Sequence, residues 1–156
     1  MDKQFLDAVD MLKIAAQHAY CAEYLLKQDA EVILDNHLSV DALLPITSLM
    51  YQAFELTLKA YLMHDHRQVK QYKNLFELIE LNDELGLSEQ DIKLIVTLAR
   101  QQAFRKGVDY VLWENRQQQH VFCEQILTLY ARIQELMPLE LQNDYHGSFE
   151  TFLRRS

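Results

Sequence analysis

Two pairs of residues in this chain have the types and spacing to do chemistry. Glu55 and Lys59 are an acid and a base four positions apart. That spacing sets them on one side of a helix, with the acid N-terminal, the better orientation for an i,i+4 ion pair. Arg116 and His120 are also four positions apart, about 40° from each other around a helix turning 100° per residue. An arginine there can hold a phosphate, and a histidine beside it can move a proton near neutral pH. The same two side chains, next to Gln117, Gln118 and Gln119, also suit a solvated polar turn.

The elements that position these pairs follow from the hydropathy pattern. Pro45 to Met63 is almost wholly apolar apart from Glu55 and Lys59, so it is expected as a helix buried on most sides. Pro45 suits its first turn. Before it, Phe5 to Lys27 keeps the helical period through Phe5, Ala8, Val9, Leu12, Ala15, Ala16, Ala19 and Ala22, and its alanines predict the close approach of a neighbour. Val32, Ile33 and Leu34 read as a short irregular extension. A third helix is expected over Leu75 to Leu85, closed by Gly86 as a C-cap. Ser88 and Asp91 have the spacing of a capping box. They open a fourth helix from Glu89 to about Lys106 with a stripe of Ile92, Ile95, Val96, Ala99 and Ala103.

The fifth helix is expected from about Arg116 to Met137, stopped by Pro138. Its core stripe reads Phe122, Ile126, Leu129, Ile133 and Leu136. Arg116 and His120 then fall on a boundary face roughly 100° away, continued by Cys123, Leu127 and Tyr130. Residues 1–137 form one helical bundle on this reading, and residues 138–156 a short docked helix or a frayed tail.

Composition narrows the function classes. The 156 residues carry a formal charge of −8, which opposes broad electrostatic capture of nucleic acid. Lys59, Arg67, Lys70 and Lys73 against Asp65 nevertheless leave a local net of +3, enough for an anion site. Three glycines and two prolines leave little turn chemistry for an all-β fold and none for a glycine-rich phosphate loop. No uninterrupted apolar run has membrane-spanning length, and the N-terminus does not read as a secretory signal. The expected location is cytoplasmic, with Cys21 and Cys123 as reduced thiols. The sequence contains neither a Glu-x-x-His di-iron pattern nor a Ser or Cys nucleophile motif. His64-Asp65-His66 lacks nameable third and fourth ligands, so neither a metal nor a cofactor is expected.

The run from Ala53 to Leu62, Ala-Phe-Glu-Leu-Thr-Leu-Lys-Ala-Tyr-Leu, resembles the characteristic helix of HEPN domains, with its Glu, three residues, then Lys. Tyr72-Lys73-Asn74-Leu75-Phe76-Glu77-Leu78 is similar to the start of that family's next helix, and Arg105 followed by Tyr110 continues the likeness. The resemblance covers roughly Phe5 to Met137. It implies an all-α, up-and-down bundle of four to five helices, commonly a homodimer.

Members bind RNA or nucleotides, and many are metal-independent ribonucleases of toxin or defence systems; some pair with a nucleotidyltransferase or an antitoxin. On this resemblance Arg116 and His120 correspond to the catalytic pair. Glu55, Lys59, Arg105, Lys106 and Tyr110 are the expected ligand-binding residues. The family's catalytic Arg and His are separated by four to six residues; here three intervene, a difference of about 100° in direction per residue. The competing expectation is a non-catalytic helical module that receives a protein partner.

Overall fold

The computed structural model describes residues 7–28, 31–33, 39–64, 75–102 and 116–142. They form a helical bundle of five main helices: α1 (Ala8–Lys27), α2 (Leu43–His64), α3 (Leu75–Leu81), α4 (Glu89–Gln102) and α5 (Arg116–Glu135).

Each boundary has a local cause. Asp7 caps α1, accepting from the Asp10 N–H while the Asp10 carboxylate accepts from the Asp7 N–H. This capping box starts the helix at Ala8, three residues later than the apolar period suggests. Two short strands, β1 (Glu31–Ile33) and β2 (Ser39–Asp41), pair antiparallel where the sequence reads as irregular, with Val32 opposite Val40. The predicted third helix is shorter than expected. After Leu81 the chain turns at buried Asn82, whose amide donates to the Leu58 and Leu78 carbonyls, and a 3-10 turn covers Asp83–Leu85. Gly86 then takes a left-handed φ of 66°, a conformation that glycine adopts without strain. Ser88 and Asp91 exchange the two capping-box hydrogen bonds.

The core centres on α2, whose Ile46, Met50, Ala53, Phe54, Leu58 and Ala60 are fully buried. The α1–α2 pairing is the most extensive in the bundle. Buried Ala15, Ala19 and Ala22 of α1 have the small side chains that close helix approach requires. Leu141, just beyond Pro138, is buried in the same core.

The core faces of α4 and α5 differ from the apolar stripes. On α4 the buried residues are Asp91, Ile95, Leu98 and Gln101, while Ile92, Val96 and Ala99 are only partly buried. On α5 they are Gln119, Cys123, Ile126, Leu129, Tyr130 and Ile133. Phe122 is partly buried and Leu136 exposed. The cause is a polar seam. Asp91 receives the Arg132 guanidinium, and Gln101 and Gln119 bond each other, so α4 and α5 turn polar residues toward one another. Cys123 is buried and Cys21 exposed, and neither is in a disulfide. Among the described residues no helix is long and apolar enough to cross a membrane.

Candidate functional site

Rotation of α5 changes the surroundings of the predicted pair. Arg116, the first residue of the helix, is exposed. His120, one turn on, is half-buried, and its Nδ1 lies 3.0 Å from Oε1 of Glu124. The four-residue spacing that relates Glu55 to Lys59 recurs here, a partner the sequence reading did not assign. When Nδ1 carries the proton that Glu124 accepts, Nε2 is left as a proton acceptor.

His120 and Glu124 line an open groove of about 820 Å³ between α1 and α5. Its α1 wall includes Tyr20 and the Glu23–Lys27 ion pair, 2.9 Å long. Tyr20 and Tyr24 are exposed at 62% and 64%, one turn apart on α1. Leu127 lies in the groove wall and packs partly against the core. Tyr130, expected on the boundary face, lines the groove beside Leu127, and most of its side chain is buried in the core, edge-on to Phe54.

Glu55 and Lys59 form the expected contact, Nζ to Oε1 at 3.0 Å, with side chains about a fifth to a quarter exposed. They do not share a face with His120. Thr57 and Tyr61 of α2 reach α5, through Gln134 and the Ile133 carbonyl. At 100° per residue, Glu55 and Lys59 lie about 120–160° around α2 from those two. Lys59 therefore sits away from the α5 side of α2. Arg105, Lys106 and Tyr110 lie outside the described residues, as do Asp65, His66, Arg67, Lys70 and Lys73.

Among the described residues no group of three or more His, Cys, Asp or Glu is placed to hold a metal ion. Asp91 is held by several hydrogen bonds. Burial opposes its charged form, but hydrogen bonds from Arg132 and Ser88 outweigh that and keep the carboxyl below its usual value. Burial, then the neighbouring Tyr130, raises the Tyr61 phenol above the ordinary tyrosine range. Both groups hold helices together and stand outside the groove lining.

Comparison with family models and with curated proteins finds no match to this chain.

Proposed function

We propose that the protein is a HEPN-like bundle that binds RNA or a nucleotide at the His120 edge of the α1/α5 groove. The observation that carries this reading is the His120–Glu124 contact in the wall of an open groove. The carboxylate orients the imidazole, as a hydrogen-bonded acid does for a general base. Arg116, exposed one turn before, supplies a charge for phosphate. Tyr20 on the opposite wall offers a ring on which a base can stack.

If the site also cuts, His120 takes the proton of a ribose 2′-hydroxyl as that oxygen attacks the adjacent phosphate; the P–O5′ bond breaks, leaving a 2′,3′-cyclic phosphate, and the departing 5′-oxygen takes a proton from water. Arg116 holds the developing charge. A homodimer through the α5 face brings two such pairs together, as the HEPN resemblance implies.

The test is titration of the purified protein with labelled single-stranded RNA and with a nucleotide over a range of salt. The expected result is association that weakens as salt rises, reduced in both Arg116→Ala and His120→Ala. Cutting, if present, persists in EDTA and is abolished by His120→Ala. No salt-sensitive association at high micromolar protein rejects the proposal.

A second reading, a protein-binding module, is favoured by one specific observation. The groove's charged side chains already have partners, Glu23 in Lys27 and Glu124 in the His120 imidazole, between walls that include Leu26, Leu127 and Ala131. A stable complex with a protein partner, with no affinity for RNA or nucleotide, is the outcome that supports it.

A further inference from the structure

Both ends of the α4/α5 pairing are held by polar side chains. Arg132 grips Asp91 at one end. At the other, Gln101 donates to Gln119 at 3.1 Å and Gln119 donates back at 2.9 Å. Both glutamines are only 7% exposed. A primary amide has donors and an acceptor that all require partners when buried. Two amides that each donate to the other's oxygen have a directed geometry. Leucines at these positions would also join the helices, but apolar attraction has no direction.

Gln119 is the first buried residue of α5. Residues 116–118 are exposed, and the next buried position is Cys123, a full turn later. The first turn of a helix lacks intrahelical acceptors for its N–H groups and opens readily. That turn carries Arg116 and leads directly into His120.

The geometry points to Gln101 and Gln119 as positioning residues: their reciprocal amide pair anchors the first turn of α5 and so fixes the directions of Arg116 and His120. The positioning role rests on the binding reading above; the anchoring does not.

The test compares wild type with Q119L and Q101L/Q119L by amide hydrogen exchange, urea unfolding and binding of a fluorescein-labelled single-stranded oligouridylate. In Q119L the stranded Gln101 amide loses its partner. Amides of residues 120–122 then exchange about tenfold faster or more, while those of residues 126–130 stay near wild type. Probe binding weakens by about the same factor.

In Q101L/Q119L no amide is stranded, so the urea midpoint returns toward wild type. Probe binding stays weak, because the directed amide contact from α4 to the turn is gone. A double variant that binds as tightly as wild type leaves the amides a merely structural part and overturns the proposal. Exchange in Q119L that is unchanged, or faster evenly along α5, overturns it as well. Should Q119L fail to fold, the double variant carries both readouts. If wild type binds no probe, the binding reading falls, and exchange at residues 120–122 alone decides the anchor.

Discussion

Phe54 meets Tyr130 edge-on where α2 crosses α5, with ring centroids 5.9 Å apart and planes at 82°. Offset edge contacts of this kind suit the charge distribution of two aromatic rings. Phe54 is fully buried, so Phe54→Ala is expected to cost about 3–5 kcal/mol in urea unfolding. A loss below about 1 kcal/mol would mean that the site collapses around the smaller side chain.

Asp91 and Arg132 give the protein an acid-sensitive joint between α4 and α5. The folded state holds the Asp91 carboxyl below its usual value, so the folded protein binds its proton less readily than the unfolded chain. The stabilisation is therefore complete above the unfolded value of about 3.9 and is lost as pH falls through the lower folded value. Asp91→Asn is expected to cost about 1.5–3 kcal/mol at pH 7. The difference from wild type should shrink below about pH 4. A difference independent of pH down to acid unfolding contradicts the assignment.

Glu55 and Lys59 should couple weakly. Solvent reaches both side chains, so each ion keeps part of its hydration when the other is removed. A double-mutant cycle is expected to give about 0.5 kcal/mol, as for surface helix pairs. Coupling above about 2 kcal/mol would mark them as a desolvated pair.

The Tyr61 hydroxyl donates to the Ile133 carbonyl inside the bundle. That carbonyl also accepts the Leu136 N–H at 3.0 Å, so Tyr61→Phe strands no acceptor. The expected cost is about 1 kcal/mol at neutral pH. Because burial raises the folded phenol's pKa, wild type loses stability as pH climbs above the unfolded value of about 10. Tyr61→Phe should lessen that alkaline loss, which a pH series of melting temperatures measures.

Much of the bundle was legible because its cues are local. The apolar run around Phe54 and Leu58 marks α2, Ser88 and Asp91 mark the start of α4, and Gly86 marks the preceding stop. The Glu55–Lys59 contact follows from spacing alone. The rotation of α4 and α5 was not legible. Hydropathy set Ile92 and Val96 inside α4 along with Ile95; only Ile95 of the three is buried, and Asp91, Leu98 and Gln101 join it. Arg132 reaches Asp91 from 41 positions away, and Gln119 reaches Gln101 from 18. Pairings of that range leave no periodic trace. Tyr130 lines the groove beside Leu127, as its place on the boundary face predicts, but its burial against Phe54 was not legible. Glu124 as the partner of His120 was within reach of the same four-residue rule that found Glu55 and Lys59.

The α1–α2 pairing joins neighbours in sequence, and it is the broadest contact surface in the bundle. Pairing between neighbouring elements closes short loops and forms quickly. During synthesis this helical hairpin leaves the ribosome well before α5 exists. Until α5 arrives, Phe54 lacks the Tyr130 ring and Tyr61 lacks its carbonyl. The nascent hairpin thus presents a sticky aromatic flank for the whole interval in which roughly the second half of the chain is made, and that interval is when chaperone capture or misassembly competes with folding.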